Sequence, residues 1–251
     1  MAWGKQPARS RGSAVLEWRL FGIPIHLDAS WFFIVTFIAW SLGHDYFPTA
    51  HPGFASGAYG LMGAAASLLL FACVLLHELS HSLVAQGYGI QVIRVKLFIF
   101  GGVAQIGGRP PRPAVELLVA LAGPLMSALI AWGCAVWSSA IHGTHPFALA
   151  AAAILRYLTT INVAILLFNL LPGFPLDGGR VLRALLWALS GDLRQATRIA
   201  SLLGAGFGIG LIILGAWTMA AQGRWTGGLW LCLLGSFLWG AARTSYRLGA
   251  G

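Results

Sequence analysis

The sequence predicts a polytopic α-helical membrane protein with about six transmembrane helices and a small β-hairpin or sheet near the cytoplasmic face. Three observations carry that prediction. First, 58% of the 251 residues are hydrophobic and 9% are charged, where soluble domains carry about 25% charged residues; the mean hydropathy is +0.77. Second, residues 53–76 and 119–155 contain no Asp, Glu, Lys or Arg, and each run exceeds the roughly 20 residues a helix needs to cross a bilayer. Third, the basic residues, Arg156 and Arg224 excepted, fall into groups between apolar spans: Lys5, Arg9, Arg11 and Arg19; Arg94, Lys96, Arg109 and Arg112; Arg180, Arg183, Arg194 and Arg198; Arg243 and Arg247. That alternation is the positive-inside pattern, with both termini cytoplasmic and an even number of crossings. The net charge of +9 is thus read as a determinant of topology and not as a nucleic-acid surface.

Taken in order, residues 1–28 form a cytoplasmic amino-terminal segment, within which residues 19–27 are expected to supply a short strand. A transmembrane domain follows over residues 29–245. Its crossings are expected at residues 29–42, 57–87, 114–141, 147–171, 197–221 and 226–243, the fourth broken at Pro172. Residues 90–108 are β-branched and partly alternating around Gly101-Gly102, which predicts a hairpin. Open sheet edges are not tolerated against lipid, so these strands must face protein or a cavity. Gly204, Gly206, Gly208 and Gly210 read as close packing of the fifth crossing against a neighbour rather than as a flexible stretch. Glu116 reads as a charge at a helix terminus. The cysteines Cys73, Cys134 and Cys232 lie far apart within apolar spans and imply neither a disulfide framework nor a thiolate metal site.

The second crossing ends in His77-Glu78-Leu79-Ser80-His81. On a helix, residues four apart share a face, so both imidazoles can reach one metal ion, and neutral imidazole nitrogen suits Zn²⁺. The intervening Glu78 can act as general base. It is the single Asp, Glu, Lys or Arg within residues 57–93 of a chain holding only seven acidic residues, and an ionisable group at membrane depth marks a functional site by default. A catalytic zinc takes three protein ligands. Asp177, after the prolines of Asn169-Leu-Leu-Pro-Gly-Phe-Pro-Leu-Asp177, is the preferred third ligand, because the second and fourth crossings both end on the cytoplasmic side. His26 is the minor alternative; an interfacial capping role is the bland reading of Asp177.

The chain resembles the site-2 protease family of intramembrane zinc metalloproteases. The likeness is carried by Gly22-Ile-Pro-Ile-His-Leu-Asp-Ala-Ser-Trp31, His77-Glu-Leu-Ser-His81, Phe100-Gly-Gly, Glu116 through Ala122-Gly-Pro124, and Asn169 through Arg180. It implies hydrolysis of peptide bonds in transmembrane segments, one Zn²⁺ per chain held by His77, His81 and Asp177, and Glu78 as general base. Asn169 matches a family residue that contacts substrate or the oxyanion. The implied partners are the lipid bilayer and a single-pass membrane-protein substrate bound as an extended strand. There is no PDZ-like insertion; some such members carry cytoplasmic CBS domains, so residues 246–251 are expected to be the stub where a regulatory CBS region would follow in a longer protein. The first, fifth and sixth crossings, which hold no catalytic residue, are the expected lateral gate. A transporter built on the same ligands would show paired broken helices in repeats, and a prenyl-protein endopeptidase would place its third ligand elsewhere.

Overall fold

The computed structural model describes residues 14–99, 101–108 and 110–250; the readings placed on residues 1–13, Phe100, Arg109 and Gly251 lie outside them. Strands β1 (Ala14–Leu20) and β2 (Ile23–Asp28) form a hairpin, so the interval expected to give one strand gives parts of two. The reason is the turn between them: Phe21 and Gly22 both have positive φ, 51° and 78°, the primed-turn geometry whose twist suits a two-residue hairpin.

Asp28 ends β2 and starts α1 (Ala29–Ser41). Its Oδ1 accepts from the Ser30 N–H at 3.1 Å and the Ser30 hydroxyl at 2.8 Å, satisfying orphan donors of the first turn. Its Oδ2 pairs with Lys96 Nζ at 2.7 Å. The first expected crossing is not one regular helix. α1 runs through a π-turn (Leu42–Tyr46) into the short α2 (Phe47–Ala50), a helical path of roughly 33 Å at 1.5 Å per residue. Pro48 has no N–H to give to the preceding turn, and beside it the ladder widens so that Phe47 N–H reaches the Leu42 carbonyl.

α3 (Ser56–Gly87) carries the His-Glu-x-x-His motif near its end. It stops where Gly89, with φ of 74°, lets the Ile90 N–H turn back to the Ala85 carbonyl at 3.0 Å. The predicted hairpin follows as β3 (Gln91–Phe98) and β4 (Gly101–Gly107). β3 pairs parallel with β2, Ile25 opposite Val95, and the sheet order is β1-β2-β3-β4. Ile23, Ile25 and Val95 bury one face against Leu79. Leu79 lies inside the His-Glu-x-x-His motif, so the sheet packs on the helix turn that bears this motif.

α4 (Pro113–Ala140) and α5 (Pro146–Asn169) match the third and fourth expected crossings. An element absent from the sequence reading follows: α6 (Asp177–Ser190), a short helix opened by Asp177 and closed at Gly191. α7 (Leu193–Gln222) and α8 (Trp225–Ala250) complete the chain. Among the described residues five helices, α3, α4, α5, α7 and α8, are long and apolar enough to cross a membrane; α1, expected as the first crossing, has 13 residues and is not one of them. Gly204 packs against the Phe174 backbone and Gly208 against Gly235 and Trp239 of α8, while Gly206 and Gly210 face open space. The close-packing reading therefore holds at two of the four glycines.

Glu116 departs from its reading as a simple terminal charge. It does lie in the first turn of α4, but it is fully buried and accepts from Arg183 of α6, with Nε at 2.6 Å from Oε1. The Arg183 guanidinium also lies 4.8 Å from the Phe174 ring centroid, within cation–π range. Two helices distant in sequence are thereby joined by a charge pair whose carboxylate is fully buried and whose guanidinium is partly buried.

Removing Arg183 deletes the hydrogen-bond partner of the buried Glu116 carboxylate. Arg183→Ala should lower stability by about 3 kcal/mol or more, read as a lower denaturation midpoint in detergent, and Glu116→Gln combined with Arg183→Met should recover most of the loss. A second expectation concerns Asp28. The hydrogen bond from Lys96, followed by those from Ser30, lowers its carboxyl from 3.8 to about 2. A depressed folded value stabilises the fold above the unfolded one, so this contribution should be complete at neutral pH and fade as pH falls from about 4 to about 2. The difference in melting midpoint between wild type and Asp28→Asn should vanish over that window.

Candidate metal centre

His77 and His81 occupy one face of α3, both buried, at 4% and 3% exposure. α4 runs antiparallel beside them and presents residues 119, 123 and 127, each four apart, to that face. His81 Nδ1 lies 2.6 Å from the Val119 carbonyl oxygen. A carbonyl can only accept, so Nδ1 carries the hydrogen and the Nε2 of a neutral ring is a lone pair. His77 Nδ1 lies 2.9 Å from Ser127 Oγ, which completes a matching arrangement. Between them Gly123 has no side chain, and a Cβ there would overlap Nε2 of both imidazoles. Pro124 loosens the turn next to it, since it cannot donate to the Ala120 carbonyl.

Asp177 reaches the same point from the far side of the sequence. α5 ends at Asn169, and residues 170–176 form a turn that contains Pro172 and the cis Phe174–Pro175 bond. Gly178 lies against the Leu170 and Leu171 carbonyls, and Gly179 against Gly173 and Phe174. A side chain at either would push α6 away from the turn. Phe174 N–H donates to the Ala200 carbonyl of α7 at 3.0 Å, which fixes the turn on its other side.

The outcome is a buried cluster of three donors. Asp177 Oδ2 is 3.1 Å from His77 Nε2 and 3.2 Å from His81 Nε2, and the two Nε2 atoms are 3.2 Å apart. Ligands about 2.0–2.1 Å from a tetrahedral zinc are about 3.3 Å from one another, so the spacing fits that ion. The donor chemistry fits too: two imidazole nitrogens and a carboxylate oxygen converge on one point, and the outer imidazole nitrogens are both held by hydrogen-bond partners, as ligating histidines are. Among the described residues this is the one grouping of three such donors.

Glu78 stands beside the cluster, half-buried, with Oε2 accepting from the Ala104 N–H of β4 at 2.9 Å. Asn169 is half-buried at the last position of α5 and stands outside the three-donor group, with no hydrogen bond among the described residues. His26 pairs with Glu17 across the β1–β2 hairpin at 3.2 Å and takes no part in the cluster. Sequence reasoning missed Val119, Gly123 and Ser127 as supports; their spacing, which repeats the spacing of the two histidines, was the available signal. It also missed Gly102 and Ala104, whose link to Glu78 depends on tertiary approach alone.

Gly123→Ala places a methyl group where both Nε2 atoms meet. Zinc content of the purified protein should fall at least about tenfold, the scale seen when groups supporting metal ligands are lost. Metal analysis by mass spectrometry checks it.

The sequence matches the model of peptidase family M50 over residues 65–149 and 138–213. It is 38% identical over 228 residues to the protein sll0528 of Synechocystis, covering 91% of this chain and 58% of that one. It is 32% identical to zinc metalloprotease MJ0392 of Methanocaldococcus jannaschii, covering 80% of this chain and 53% of the relative. The chain thus spans a little over half the length of these curated relatives. Among solved structures it resembles the site-2 protease of Methanocaldococcus jannaschii with a TM-score of 0.57 and 26% identity, over 92% of this chain and 95% of that one. The three-donor cluster, the apolar helices and the span of the match converge on one assignment: this chain belongs to peptidase family M50, the site-2 protease family.

Proposed function

We propose that this chain is an intramembrane zinc metalloendopeptidase that hydrolyses peptide bonds in the transmembrane segments of membrane proteins. The observation that carries the proposal is the His77–His81–Asp177 cluster at tetrahedral zinc spacing with a carboxylate, Glu78, on the same helix. Bound zinc supplies Lewis-acid polarisation of the scissile carbonyl and acidifies water. The chain's own residues do the rest. His77, His81 and Asp177 hold the ion. Glu78 removes the proton of the attacking water and returns it to the amine as the C–N bond breaks. Asn169, with its amide unspent, contacts the substrate backbone or the developing oxyanion.

The substrate is a single-pass membrane protein, bound as an extended strand against the sheet; a helical peptide bond is hidden by its own hydrogen bonds, whereas a strand exposes it. The grouping of basic residues supports a topology with both termini and the metal centre on the cytoplasmic side of the bilayer. CBS domains following residue 251 in a longer protein would be the regulatory partners.

The test is cleavage of a model single-pass substrate by detergent-purified protein. Glu78→Gln should keep its zinc and lose about 10²–10⁴-fold in rate, while Asp177→Ala should lose metal. Cleavage by Glu78→Gln at the wild-type rate would overturn the enzymatic reading.

A further inference from the structure

Resting on the protease reading, we propose that β4 positions the general base: the Ala104 amide fixes the Glu78 carboxylate, and Gly102 supplies the space in which its side chain lies.

Among the described residues β4 is an end strand of the sheet, with β3 on one side and no strand on the other. Along an antiparallel strand, residues alternate between directing their N–H to the partner and directing it away. Ala104 sits opposite Val95, yet its N–H goes to Glu78 Oε2 at 2.9 Å, so it belongs to the outward set. Gly102, two residues earlier, shares its face of the strand. A Cβ at Gly102 would lie 2.6 Å from Glu78 Cγ and 3.1 Å from Leu97 Cδ2, so glycine is what admits the carboxylate.

Glutamate has three side-chain torsions, and its own helix fixes none of its oxygens. The Ala104 amide cannot drift, because the β3–β4 ladder holds it from Gly101 to Gly107 and the sheet is packed on Leu79. The base is therefore carried by α3 and aimed by β4. A hydrogen bond to a charged group contributes enough for its loss to reduce a rate by about ten- to a hundredfold when the group must be pre-aimed. Gly102 and Ala104 are positioning residues on this argument, acting on kcat through Glu78, and not groups that hold substrate.

Two variants and one exchange measurement test this. Ala104→Pro deletes the N–H, and proline is accepted on an end strand where the N–H is not spent on the ladder. Gly102→Ala fills the space. Each should lower kcat about ten- to a hundredfold, with KM within about twofold of wild type and zinc content unchanged. Independently of turnover, amide hydrogen exchange at Ala104 should accelerate at least about tenfold in Glu78→Ala. Wild-type kcat in both variants, a rise in KM with kcat unchanged, loss of zinc from both, or unaltered exchange would each overturn the positioning role. Such results leave the protease reading standing as long as wild type cleaves and Glu78→Gln does not. A wild-type protein that fails to cleave would instead sink the protease reading, with the exchange result still deciding whether β4 holds Glu78.

Discussion

Two imidazole nitrogens and a carboxylate oxygen converge at 3.1–3.2 Å inside a helical bundle. Such a grouping, removed from water, suits one cation bound between the three atoms. Much of the surrounding architecture follows from making it a ligand set. The hydrogen on each imidazole must be held on Nδ1, so α4 comes close enough to offer Val119 O and Ser127 Oγ. That closeness requires Gly123 at the contact point. The third donor must come from elsewhere, because one face of a helix holds two ligands at four-residue spacing and the next position on that face falls a further turn away.

The sheet serves the same centre from the carboxy-terminal end of α3. Its inner face is seated on Leu79, between Glu78 and Ser80, so the strands cannot shift without moving the motif. Asp28, at the end of β2, is tied to α1 through Ser30 and to β3 through Lys96. The order β1-β2-β3-β4 leaves β4 at the edge nearest Glu78. An edge strand is normally a liability; here one of its free donors is taken up by a carboxylate.

Much of this was legible in the sequence, for identifiable reasons. Apolar runs and charge groups state the crossings directly, since lipid forbids most alternatives. The His77–His81 pair is legible because helical period and metal geometry agree. Asp177, which the structure brings to the two histidines, stood out in the sequence as an acidic residue after a broken helix. What the sequence hid is of two kinds. α6 was missed because its start coincides with the Asp-Gly-Gly stretch, where glycines signal a turn; their purpose is close contact with residues 170–174, not termination. Glu116 was read as a terminal charge because nothing local to α4 announces Arg183, sixty-seven residues later. The two-strand start was compressed into one because the turn at Phe21-Gly22 uses a phenylalanine at positive φ, where glycine or asparagine would have been the signal.

The third ligand shows how precision is gained where the local chain is irregular. Asp177 opens a short helix after a proline-rich turn, the kind of segment that is ordinarily mobile. It is fixed from two directions instead. On one side the Glu116–Arg183 pair fastens α6 to α4, the helix that also supports both histidines. On the other, Phe174 N–H bonds to the Ala200 carbonyl, and Gly204 lets the Phe174 carbonyl lie against α7. Arg183 stacks on the Phe174 ring between these attachments, so the two are joined. All three ligands are thus referred to α4, two through hydrogen bonds to imidazole and one through a buried ion pair. A change in the angle between α3 and α4 would disturb every donor at once, which makes that helix crossing the geometric datum of the metal centre.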